Sequence, residues 1–229
     1  MKKIIYICVL LLSLSTIAQT TITKNLGDFT AIKVYNGIEA ELIKSDSKKL
    51  VITGDKSEKV SIKNVNGVLK ISLPFSLKPK NNAANGQILA KIFYNSNIDL
   101  IDANQGATIT GKEIIQDKIE INAQEKAFIN LVLKVKDLKV RATSGGNIKL
   151  TGTTDNQNVF VDLYSTYNGF AMQTISNVNV KAGTGAKAEV LAGKILKAKV
   201  NFGGSIFYKG DPVLVSDKKV LGGIIQKRN

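Results

Sequence analysis

The 229-residue chain has no histidine, no tryptophan, one cysteine and three prolines. Its arginines are Arg141 and Arg228 alone. Each shortage excludes something. Without histidine, the Ser-His-Asp and Cys-His nucleophile systems and the His-ligated zinc sites cannot be built. A lone cysteine, Cys8, leaves the fold without an internal disulfide. Three prolines, and 19 glycines with no Gly-X-Y triplet, exclude collagen-like and proline-rich classes. Scarce arginine argues against nucleic acid as a partner, because the bidentate guanidinium contacts to phosphate and guanine are missing. What the chain does have is apolar material: 44% hydrophobic against 22% charged residues is enough for a core in one domain of this size.

The basic start Met1-Lys2-Lys3, the apolar run Ile4 to Leu12 and the small residues Thr16 and Ala18 predict a secretory signal peptide over residues 1–18. The run is too short to anchor in a bilayer, and no transmembrane segment is expected in the mature chain. Cys8 lies inside the signal, so the mature chain carries no thiol and no lipid attachment site. Export to the periplasm, the cell surface or the medium follows. The net charge of +14 gathers near the end of the chain, where residues 187–229 hold nine basic side chains against Glu189, Asp211 and Asp217. A basic surface of this kind suits acidic polysaccharide, lipopolysaccharide or another cell-surface glycan.

An internal repeat dominates the second half. Ile101-Asp102-Ala103, Ile121-Asn122-Ala123, Val140-Arg141-Ala142, Val161-Asp162-Leu163, Val180-Lys181-Ala182 and Val200-Asn201-Phe202 align at steps of about 20 residues. Their first positions are aliphatic and the flanking positions alternate polar and apolar, which is the strand period. A strand recurring every 20 or so residues leaves no room for a crossover helix and predicts parallel stacked coils. The expected fold is therefore all-β, a single-stranded parallel β-helix or β-solenoid. Corners follow at Asn104-Gln105-Gly106, Thr143-Ser144-Gly145-Gly146, Gly183-Thr184-Gly185 and Gly203-Gly204-Ser205. Less glycine-rich corners are expected at Gln124-Glu125-Lys126 and Ser165-Thr166-Tyr167-Asn168. Second strands run inward at Ala107, Ile109 and Gly111, at Ala127, Ile129 and Leu131, and at Gly146, Ile148 and Leu150. In the outward columns this alignment places Arg141 beside Asp162, Asp162 beside Lys181, and Glu120 beside Lys139.

Residues 19–229 form one domain: less regular coils over 29–97, regular coils over 98–210 and a C-terminal cap over 211–229. In the irregular part, strands are expected at Ala31 to Val34, Ile38 to Ile43, Leu50 to Ile52, Val60 to Ile62 and Val68 to Leu73. Asn36-Gly37 and Asn66-Gly67 are tight turns, the second closing a hairpin. Pro74 to Gly86 is the longest loop.

Candidate chemistry is sparse. Gly106 to Lys112 has phosphate-loop spacing, but Glu113 stands where a Ser or Thr should hold magnesium, and the repeat puts the segment in a coil rather than before a helix. Asp99 and Asp102 fall on opposite faces of one strand. Asp162 between two cations suits a structural ion pair better than a general acid. No catalytic residue, metal ligand or cofactor is assigned. The most specific candidate for ligand binding is aromatic: Tyr164, Tyr167 and Phe170 lie close together in the longest coil and could form a platform for a sugar ring.

Three stretches resemble the family of exported bacterial proteins described as putative auto-transporter adhesin, head GIN domain. They are Phe29 to Leu42 (FTAIKVYNGIEAEL), Asn66 to Ile71 (NGVLKI) and Gly204 to Pro212 (GSIFYKGDP), and the glycine-serine corners resemble the turns of that family. The resemblance implies a right-handed β-helix similar to pectin lyases but without their catalytic residues. It also implies a non-enzymatic role in cell adhesion and a possible trimer. A polysaccharide-active enzyme of pectin-lyase-like fold and a structural envelope protein are the alternatives.

Overall fold

A computed structural model describes residues 21–54, 57–74 and 88–229. The expected signal peptide with Cys8, and the expected loop beyond Pro74, lie outside the described residues. The alternating columns build an all-β solenoid of about 7 turns with about 19 residues per turn. Each turn lays one strand on each of two faces that meet at a tight corner.

On the first face the strands follow in the spatial order β6 (Val68–Ser72), β2 (Ala31–Val34), β8 (Leu100–Ala103) and β10 (Lys118–Gln124). The later parts of the long strands β11 (Phe128–Thr143), β12 (Asn147–Val161) and β13 (Thr166–Ala182) come next, then β15 (Ile195–Asn201) and β17 (Leu214–Val220). On the second face the order is β1 (Thr21–Asn25), β4 (Lys49–Gly54), β7 (Ile88–Tyr94), β3 (Glu39–Lys44) and β9 (Thr108–Ile115). The early parts of β11, β12 and β13 continue it, and β14 (Lys187–Leu191), β16 (Ser205–Lys209) and β18 (Ile224–Lys227) complete it.

The first coils do not stack in chain order. The β2–β3 coil sits between the β8–β9 coil and the strands β6 and β7, which come later in sequence. Strand β5 (Ser61–Val65) pairs antiparallel with β6 through Asn66-Gly67, both residues left-handed at φ 51° and 75°. That is the hairpin geometry an Asn-Gly pair favours. Asn36-Gly37 adopts similar angles, 61° and 71°, but serves as a solenoid corner between β2 and β3. Antiparallel β1, β4 and β5 thus close the N-terminal end of an otherwise parallel stack.

The register corrects two copies of the aligned repeat, and with them three of its steps. Val140 pairs with Val159, and Ala142 with Val161; Ala182 pairs with Val200, and Val180 with Ala198. Val161 and Val200 therefore stand two residues along their columns from the expected places. They still face inward, because a two-residue shift preserves the face of a strand. The consequence falls on the surface: Arg141 stands beside Phe160, and Phe160 beside Lys181, so the expected Arg141–Asp162–Lys181 column does not form. Asp162 lies in the corner instead, its Oδ1 accepting the backbone N–H of Leu163 and of Thr184 at 2.8 Å each. The corner expected at Ser165 to Asn168 is correspondingly at Asp162 to Tyr164. The expected Glu120–Lys139 pair is present at 2.9 Å.

Inward side chains of both faces merge into a single core. Close to the corner the faces converge and small residues predominate: Ala103, Ala123, Ala142 and Ala182 precede it, sharing their column with Val34, Val161 and Val200, and Ala107, Ala127 and Ala186 follow. Gly146 shows the limit, since a Cβ there would lie 2.1 Å from the Ala123 carbonyl oxygen. At the far end the inward column Leu196, Ala198, Val200 is followed on β17 by Val215, Asp217 and Lys219, so charge ends the apolar stack. Inward charges on an edge strand discourage the addition of another strand. No helix among the described residues is long and apolar enough to cross a membrane.

Candidate ligand-binding face

The three aromatic candidates part company in the fold. Tyr167 is inward and fully buried, its ring folded over Gly169, where a Cβ would lie 2.5 Å from the ring. Its hydroxyl donates to Gln157 Oε1 at 2.9 Å, Gln157 Nε2 donates to Thr174 Oγ1, and burial pushes the phenol far above its ordinary pKa. Tyr164 projects from the corner into solvent. Phe170 lies on the second face with the Lys209 ammonium 5.3 Å from its ring centre. Strand parity explains the separation: Tyr167 and Phe170 are an odd number of residues apart on β13 and point to opposite sides. A shared platform is therefore not formed by these three side chains.

The segment Gly106 to Lys112 passes from a corner into β9, with Ala107 and Ile109 in the core, and opens no helix. Asp102 is buried, 3.4 Å from Lys33 Nζ, and accepts from Asn104 Nδ2 at 2.9 Å. It is a structural ion pair.

The first face carries what sequence reasoning missed. With the corrected register, one outward column reads Glu120, Lys139, Asn158, Asn179, Lys197, and the neighbouring one reads Lys118, Asp137, Asn156, Asn177. Amides stack along the second: Asn177 Nδ2 donates to Asn156 Oδ1 at 2.8 Å, and Asn156 Nδ2 to Asp137 Oδ1 at 2.9 Å. Apart from Lys197, these columns line an open groove of about 660 Å³. In it Glu120 is half-buried, which works against its charge, but the Lys139 ion pair, a hydrogen bond from Asn122 and the nearby Arg141 outweigh burial. Its pKa lies below the ordinary carboxylate value, so it is ionised near neutrality and unsuited to donate a proton.

Toward the C-terminal end, a third column holds Arg141, Phe160, Lys181, Lys199 and Lys218. The Arg141 guanidinium stacks on Phe160 at 4.8 Å. Lys181, Lys199 and Lys218 then follow on successive rungs, about 4.8 Å apart. Among the described residues none of the three has an acidic partner. Like charges directly opposite on neighbouring strands destabilise a sheet.

The family model described as putative auto-transporter adhesin, head GIN domain, matches residues 28–212. The chain belongs to that family. Solved structures similar to this head GIN protein include a putative adhesin from Bacteroides fragilis, at TM-score 0.82 and 18% identity, covering 92% of this chain and 97% of that one. A putative adhesin from Parabacteroides merdae aligns at TM-score 0.67 and 18% identity, over 92% and 96% of the two chains. A putative lipid binding protein from Parabacteroides distasonis aligns at TM-score 0.65 and 21% identity, over 92% and 97%. At these identities the likeness is one of fold. No curated protein matches the chain.

Proposed function

We propose that this head GIN protein is an exported, non-enzymatic adhesin that holds an acidic glycan of a cell surface or envelope on its first face. The observation that carries the reading is the Lys181–Lys199–Lys218 ladder, three in-register cations with no acidic partner among the described residues. Family membership agrees with an adhesive role, and the basic, apolar start of the sequence agrees with export. A rung spacing of about 4.8 Å is close to the length of one sugar residue, so a uronic acid polymer lying along the solenoid could present one carboxylate to each lysine. The amide groove alongside offers donors and acceptors for hydroxyl groups.

The test is depletion of the purified protein by insoluble polygalacturonate, with released reducing ends measured in the same tubes. Depletion that weakens as salt rises, with no release, is the expected result. Release of reducing ends would make the protein a polysaccharide-active enzyme, and absence of depletion at low salt would remove the glycan reading.

A further inference from the structure

The corner that joins the two faces changes character along the solenoid. From the N-terminal side, its first left-handed position reads Gln105, Glu125, Ser144 and then Leu163, with Phe202 and Leu221 at the same position in the last two coils. Backbone bonds hold this column in register: Gly106 N–H to the Glu125 carbonyl, Gly145 N–H to Leu163, Phe202 N–H to Val220. Tyr164 takes the next position, where other corners place Gly106, Gly145, Gly185, Gly203 and Gly222. Leu163, Tyr164, Phe202 and Leu221 are 46%, 74%, 60% and 71% exposed.

Two independent features make this segment unusual. Large apolar side chains stand in water along a convex edge about 14 Å long, across three rung steps, and the rung that carries Thr184 and Gly185 is spanned by the Tyr164 ring lying against Gly185. Each of the four also holds a left-handed backbone, with φ of 50°, 60°, 47° and 53°, where glycine and asparagine are the favourable residues. The geometry does not demand apolar residues, since the N-terminal corners show that polar residues satisfy it. Lysine completes the pattern. Lys181, Lys199 and Lys218 each lie three residues before the corner on their own rungs, on the first face. The acid beside the edge, Asp162, is engaged by the amides of Leu163 and Thr184.

We propose that this corner is a lipid-docking edge: Leu163, Tyr164, Phe202 and Leu221 enter the acyl boundary of a membrane, and the bordering lysines meet anionic headgroups. Apolar side chains on a convex edge flanked by lysine are what an interfacial surface needs. The same lysines repel a second copy approaching by the same edge, so charge selects lipid over self-association. The inference stands on the corner rather than on the glycan reading, and the two fail separately.

The experiment compares the native protein with the quadruple variant Leu163→Asn, Tyr164→Asn, Phe202→Asn and Leu221→Asn. Asparagine tolerates the left-handed backbone, so the melting temperature by circular dichroism is expected to stay level or rise. Both proteins are sedimented with vesicles of phosphatidylcholine alone and of phosphatidylcholine with phosphatidylglycerol in equal parts. The native protein is expected to pellet with the anionic vesicles, and the variant to bind at least tenfold more weakly while its depletion by polygalacturonate is unchanged. Native protein that ignores anionic vesicles, or a variant that binds them as tightly, overturns the docking edge. So does a native dimer in analytical ultracentrifugation that the variant abolishes, which would make the edge a self-association surface. A variant that does not fold is replaced by Phe202→Asn with Leu221→Asn, read in the same way.

Discussion

Tyr167 shows how much one side chain can mislead when read by neighbourhood alone. Three aromatics within seven residues suggested a surface platform, yet parity on β13 sends Tyr167 into the core. The signal for this was present in the sequence: Gly169, two residues on, is the partner that leaves room for a large inward ring. Gln157, inward in a column of Leu138 and Val178, was the signal that a buried hydroxyl needed an acceptor. Tyr167→Phe leaves the Gln157 carbonyl without its donor and should cost about 1–3 kcal/mol in urea unfolding followed by circular dichroism. A cycle with Gln157→Leu should show coupling of at least about 0.5 kcal/mol, because the two groups share one network. There is also a pH signature. Burial raises the Tyr167 pKa, so above about pH 10 the unfolded chain releases a proton that the folded chain retains. Its contribution is complete below that pH and declines as pH rises beyond it, and Tyr167→Phe should flatten this part of the alkaline stability curve. An unchanged alkaline slope in the variant would contradict the assignment.

At the scale of strands, the twenty-residue period and the inward columns were legible because alternation and spacing are properties of sequence alone. Ala31 to Val34 coincides with β2, and Val68 to Leu73 nearly coincides with β6. Register was less legible. A two-residue slip keeps every inward residue inward, so hydrophobic patterning cannot detect it, and the corner bonds of Asp162, Leu163 and Ser165 fix where β12 ends. The out-of-order insertion of β7 between β3 and β4 was equally hidden, since strand order is set by long-range pairing. Val161 is fully buried in either register, and Val161→Asp should prevent soluble expression by placing an unpaired charge in the core. Lys139→Gln removes a solvent-exposed ion pair with Glu120 and should change stability by less than about 1 kcal/mol. Equal melting temperatures for native and Val161→Asp proteins would disprove the stacking.

Across the whole molecule, the excess of positive charge was visible in composition, but its arrangement was not. The misaligned repeat put Asp162 between Arg141 and Lys181 and so neutralised a column that the fold leaves entirely basic from Lys181 to Lys218. The fold tolerates this repulsion because each rung is held by backbone bonds and a continuous apolar interior. A column of like charges is then a standing cost to stability that an anionic ligand relieves. The account makes a paired demand on one variant, Lys181→Gln with Lys199→Gln and Lys218→Gln. Its melting temperature should equal or exceed that of the native protein, while its affinity for soluble polygalacturonate oligomers by calorimetry falls at least about tenfold, equivalent to about 1.4 kcal/mol. A lower melting temperature together with unchanged affinity would show that the lysines serve the fold and that the ligand binds elsewhere.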